Sequence, residues 1–215
     1  METAIMNNAP ENTSNAHHWD SIFASKGQDV SWWQAEDDLW LDVVMPLLHD
    51  KTTHIADIGS GTSLFLESLG HKGFTNLTAV DISHEALTAL HNRASHVGVT
   101  INTITTDISQ LEVPHLIDLW HDRAVFHFMN TPAAQLAYKN SLLRNTAVGS
   151  LAVISTFSEN GPLQCSGLDV ARWGANDLAN FFAPEFVAIN SGTRNHTTPW
   201  DSEQNFTWIQ LKRVI

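Results

Sequence analysis

The chain has 215 residues, 43% of them hydrophobic, which is enough for one well-buried domain and short for two. Its 23 Asp and Glu against 11 Lys and Arg give a net charge of −12, so it has no basic footprint for a phosphate backbone, and nucleic acid is not an expected partner. No apolar run approaches the roughly 20 residues of a membrane span and the N-terminus lacks a signal-peptide pattern; with the lone Cys165 fitting a reducing compartment, a cytoplasmic protein without membrane contact is expected. The 12 His form no H-E-x-x-H-like spacing, so no metal is expected.

In chain order, residues 1–16 are rich in Asn, Thr and small side chains with no apolar period, and are expected to be disordered, with order beginning near Trp19. Glu36 to His49 places Leu39, Trp40, Val43, Val44, Leu47 and Leu48 at helical spacing, with Pro46 bending or closing that helix. Elements then alternate: strand 54–58, helix 62–70, strand 76–80, helix 83–96 with Ser83 as N-cap, strand 99–104 and strand 116–120. A polar turn His121-Asp122-Arg123 follows, and Thr131-Pro132 opens another helix. Gly149 to Phe157 is a nearly continuous apolar run, the pattern of a strand covered on both faces. After a loop at 158–168 and a short helix, 185–190 and 205–213 read as paired strands joined by a long connection, 191–204. The alternation predicts a single α/β domain, doubly wound and Rossmann-like, with a mostly parallel seven-stranded sheet and a C-terminal antiparallel hairpin.

The segment His54-Ile55-Ala56-Asp57-Ile58-Gly59-Ser60-Gly61-Thr62-Ser63 carries the chemistry. Gly59 and Gly61 let backbone approach a ligand, and Asp81, ending the next strand, stands where a carboxylate takes both hydroxyls of a ribose. A dinucleotide turn needs a third glycine where Leu64 stands, and Asp57 would repel a pyrophosphate. A cationic nucleoside without phosphate suits the turn better, which favours S-adenosyl-L-methionine (SAM) over NAD.

The segment resembles motif I of class I SAM-dependent methyltransferases, E/D-x-G-x-G-x-G, with Ser63 in place of the last glycine, and the resemblance runs from about residue 17 onward. It implies that Asp107 binds the adenine amino group while Ile108 and Ile82 pack on the adenine faces. The fourth strand end lacks D/N-P-P-Y/F; Asp122-Arg123-Ala124 instead resembles the D-R-G/A turn of the thiopurine methyltransferase-like branch, which implies Arg123 beside the methionyl carboxylate. Trp19, Phe23 and Trp33 resemble that branch's N-terminal aromatic lid, giving a domain at 17–215 with a lid at 17–50.

The expected function is SAM-dependent methyl transfer to a small-molecule acceptor (thiol, amine or heterocycle), with S-adenosyl-L-homocysteine as product. Asp122 and His121 are the candidate bases, while His127, inside an apolar stretch, reads as structural. Loop 158–168 and the hairpin around Arg194, His196 and Trp200 are expected to shape the acceptor pocket. Protein lysine N-methylation, which would need a protein substrate, and SAM binding without catalysis stand as alternatives. An NAD-dependent oxidoreductase is opposed by Leu64 and Asp57.

Overall fold

A computed structural model of the chain describes residues 10–26, 30 and 38–215. The first helix, α1 (Pro10–Lys26), starts ahead of Trp19, so residues 10–16 are helical where disorder was expected. Helix α2 (Asp38–Val44) tightens into a 3-10 turn at Met45–Leu47, because Pro46 has no N–H to continue an α-helical ladder.

Strands β1 (Ile55–Ile58), β2 (Leu77–Asp81), β3 (Asn102–Thr105), β4 (Ile117–Arg123) and β5 (Thr146–Phe157) are parallel, with α3 (Phe65–His71), α4 (His84–His96) and α5 (Pro132–Asn145) in the crossovers. Ser83 and Thr131 cap α4 and α5 as expected, each accepting from the amide three residues on at 3.2 Å. Helix α6 (Ala175–Phe182) precedes the antiparallel pair β8 (Phe186–Thr197) and β9 (Glu203–Arg213). The seven-stranded order is β3-β2-β1-β4-β5-β9-β8, and a separate two-stranded ribbon pairs β6 (Gln164–Cys165) with β7 (Leu168–Asp169) inside the expected loop.

Alternation along the strands sends side chains to two cores. Ile55, Leu119 and Val153 face α2, α3 and α4, while Trp120, Ile154 and Ile209 face α5 and α6. Two elements run further than the sequence suggested. The expected turn 121–123 is the end of β4, because His121 and Asp122 are buried and paired across the sheet and with α5. The expected connection 191–204 is mostly strand, and only Thr198–Ser202 separates β8 from β9; its polarity belongs to β8, an edge strand wet along most of its length. Among the described residues no helix is long and apolar enough to cross a membrane.

Candidate active site

The strand order reverses between β1 and β4, and the crevice beyond the carboxyl ends of parallel strands at such a point is where open α/β sheets bind ligands. A cavity of about 410 Å³ lies there. Its first wall is the turn after β1. The Gly59 and Ser60 amides donate to the Val80 carbonyl at 2.7 and 3.1 Å, which ties the turn to β2. Gly59 and Gly61 have φ of +63° and +50°. A Cβ on Gly59 would meet Val125 Cγ2 at 2.0 Å, and one on Gly61 would meet Phe23 Cζ at 2.9 Å, so both positions require glycine. From behind, Arg93 on α4 donates to the Ser63 carbonyl at 2.8 Å and to Glu67 Oε1 at 2.7 Å. No motif pointed to Arg93, because its role is visible only once α3 and α4 are side by side.

Asp81 closes the next part of the wall. Its Oδ2 accepts from the Gly61 amide at 2.7 Å and its Oδ1 from the Ser83 amide at 2.8 Å. A carboxylate has about four acceptor sites, so both oxygens keep capacity for a ligand's hydroxyls. Burial raises its pKa to about 6, against the pull of those two amides. Ile82, Asp107 and Ile108 continue the same wall. Asp107 Oδ1 accepts from the Ser109 amide at 2.7 Å and the Ser109 hydroxyl at 2.6 Å, fixing the carboxylate at the cavity.

Arg123 lines the cavity at the end of β4, half-buried. Burial lowers its pKa and the Asp57 carboxylate works the other way. Ala124 follows with φ of +74°, a left-handed conformation that strains an L residue and turns the chain along the cavity. Helix α1 covers this part with Asn15, Trp19 and Phe23; the Trp19 ring meets Phe128 edge-on at 5.3 Å. The remaining expected lid residue, Trp33, lies outside the described residues.

Three expected site residues stand behind the wall and are absent from the cavity lining. Asp57 is buried, its Oδ1 2.7 Å from His121 Nδ1, and the His121 ring stacks on Phe65 at 4.0 Å. Asp122 is fully buried; it accepts from the Val125 and Phe126 amides at 2.8 and 3.1 Å and from the Tyr138 hydroxyl at 2.5 Å, and that hydroxyl accepts from Trp120 Nε1. Burial lifts Asp122 to about 7 and Tyr138 well above its ordinary value. Neither His121 nor Asp122 is placed to touch an acceptor, since both are strand residues pointing into the packed interior. His127 is fully buried against Phe157, and burial drops its pKa to about 3, so it stays neutral.

The far half of the cavity was only partly foreseen. Cys165 and Leu168 come from the expected loop, but Arg194, His196 and Trp200 do not line it. Arg194 pairs with Asp42 over the Trp40 ring, His196 is buried, and Trp200 is exposed at 57%. Phe128, Met129, Phe157, Asp169, Gln204 and Phe206 take their place. Burial pushes the Cys165 thiol up to about 11, leaving it a neutral part of the wall.

Two glycines cradling close backbone, a carboxylate facing the cavity from the second strand and a second carboxylate after β3 fit an adenosyl ligand. Residues 55–144 match the methyltransferase domain family. The matched stretch carries the glycine turn, Asp81, Asp107 and Arg123. No curated protein matches the sequence of the chain. Among solved structures, a SAM-dependent methyltransferase from Anabaena variabilis shares 14% identity over 99% of this chain and 98% of its own, with a TM-score of 0.71. A Burkholderia thailandensis 1,6-didemethyltoxoflavin-N1-methyltransferase, solved with 1,6-didemethyltoxoflavin and S-adenosylhomocysteine, shares 18% over 100% and 94%, with a TM-score of 0.65. The N-methyltransferase NodS from Bradyrhizobium japonicum, solved with S-adenosylhomocysteine, shares 14% over 91% and 98%, with a TM-score of 0.68. At these identities the likeness is one of fold.

Proposed function

We propose that the protein is a class I SAM-dependent methyltransferase whose acceptor is a small molecule with a flat apolar face, held over the ends of β4, β5 and β9. The observation that carries this reading is the far half of the cavity, where Phe128, Phe157, Phe206, Met129 and Leu168 make a largely apolar wall next to Arg123. When bound, SAM supplies an electrophilic methyl group. Asp81 holds the ribose, Asp107 the adenine amino group with Ile82 and Ile108 on its faces, and Arg123 the methionyl carboxylate. Trp19 and Phe23 cover the sulfonium side, where ring faces favour positive charge. Exclusion of water and alignment in one narrow space then provide the main acceleration.

Asp57, His121 and Asp122 act through position. The Asp57–His121 pair backs the glycine turn, and Asp122 fixes the two amides that start the Val125–Phe128 wall. The Asp122-Arg123-Ala124 sequence at the end of β4 and the aromatic face of α1 support the thiopurine methyltransferase-like branch. The Burkholderia thailandensis enzyme is a 1,6-didemethyltoxoflavin-N1-methyltransferase with 1,6-didemethyltoxoflavin bound, in keeping with a small-molecule acceptor. The test is calorimetric titration with SAM, S-adenosylhomocysteine and NADH, followed by mass detection of methyl transfer to thiols, N-heterocycles and lysine peptides. Binding of both adenosyl ligands but not NADH, with methylation confined to small molecules, is expected. Methylation of peptides alone would move the reading to protein lysine N-methylation.

A further inference from the structure

The acceptor half contains one polar side chain that no internal contact explains. Gln204 is 8% exposed and lines the cavity, and among the described residues nothing takes either end of its amide. Period-two alternation puts it on the same face of β9 as Phe206 and Gln210. Phe206 lines the cavity beside it and stands 4.9 Å from the Phe157 ring. Gln210, deeper on that face, donates to the Val43 carbonyl at 2.7 Å, as a buried amide ordinarily does. The Gln204 amide is open to the cavity, so a ligand seated there can take up the hydrogen bonds that water would otherwise make.

Its place in the sheet says which ligand. Strand β9 runs antiparallel to β5 with Phe206 opposite Phe157, so its first residues reach the edge where the parallel strands end. They do so on the side away from Asp81 and Asp107, which lie on and beyond β2. Gln204 therefore faces the methyl acceptor. A primary amide offers an N–H donor and a C=O acceptor side by side, the complement of a cyclic amide's own N–H and C=O. The neighbouring rings supply a flat apolar surface for the rest of such a molecule.

We propose that Gln204 is the specificity-determining residue of the acceptor pocket and selects flat heterocycles that present a cyclic-amide edge. This rests on the methyltransferase reading above. The probes are 2-quinolone and naphthalene, which share a bicyclic face but differ in that edge, titrated by ligand-observed NMR into protein saturated with S-adenosylhomocysteine. The wild type is expected to bind 2-quinolone about tenfold tighter, the order of one net hydrogen bond. Gln204→Leu should erase that preference and leave S-adenosylhomocysteine affinity unchanged. Gln204→Glu, which keeps the shape but loses the N–H donor, should cut the preference too and serves if the leucine variant does not fold. No preference in the wild type, or one that survives both substitutions, overturns the assignment of Gln204 and leaves the cofactor reading intact. Failure of S-adenosylhomocysteine to bind the folded wild type overturns both.

Discussion

Asp81 both ties down the Gly61 amide and faces the cavity, and its burial sets a pH at which those two tasks separate. With a pKa near 6 it is neutral below that value and ionised above it, and hydroxyl donors of a ribose favour the ionised form. SAM affinity is thus expected to fall as pH drops from 7 through about 6. The apo protein behaves oppositely: a raised acid pKa contributes stability that is present below about 4 and lost as pH rises through about 6. Asp81→Asn should flatten the affinity profile and weaken SAM binding by about 1–3 kcal/mol at pH 8. Calorimetry from pH 5 to 8 checks it, and an unchanged profile in the folded variant would remove Asp81 from the ribose. Asp81 was legible in the sequence because an acid at a strand end facing a glycine turn has few other uses. Asp122 and His121 misled for a physical reason: polar residue types look exposed in sequence, and only the partners Tyr138 and Asp57 make their burial tolerable.

Among the elements, α1 forms one side of the cavity and is tied to the start of α4 through Asp20. Asp20 accepts from the Ser83 hydroxyl at 2.6 Å and approaches the Glu85 amide at 3.4 Å, placing an anion at the start of α4. Asp20→Ala should loosen α1, with SAM dissociating about tenfold faster in stopped-flow fluorescence and little change in unfolding midpoint. Equal dissociation rates would mean that Trp19 and Phe23 are held by their own packing. The parallel half of the sheet was legible because buried strands read as apolar runs and crossover helices carry stripes and caps, as Ile55–Ile58 and Ser83 do. The ribbon β6–β7 was not, since two residues are too few to show a period, and its tight turn at Ser166 and Gly167 depends on positive φ at both. Most of β8 escaped notice for another reason: an edge strand wetted on both faces has no alternation to display.

For the molecule as a whole, a net charge of −12 surrounds the cavity proposed to take a sulfonium cation. Its field should favour SAM over the uncharged product, so raising salt from about 20 to 500 mM is expected to weaken SAM binding more than S-adenosylhomocysteine binding. Parallel titrations of both ligands decide it, and identical salt slopes would confine recognition to short-range contacts. The antiparallel course of β9 has a consequence for how new activities arise in such a domain. The residues proposed to face the nucleoside come from α1 and the stretch between β1 and β4, whereas Gln204 and Phe206 enter from a strand laid down much later in the chain. On the proposed function, changes at the start of β9 would reshape part of the acceptor wall while the residues proposed for the donor stay as they are.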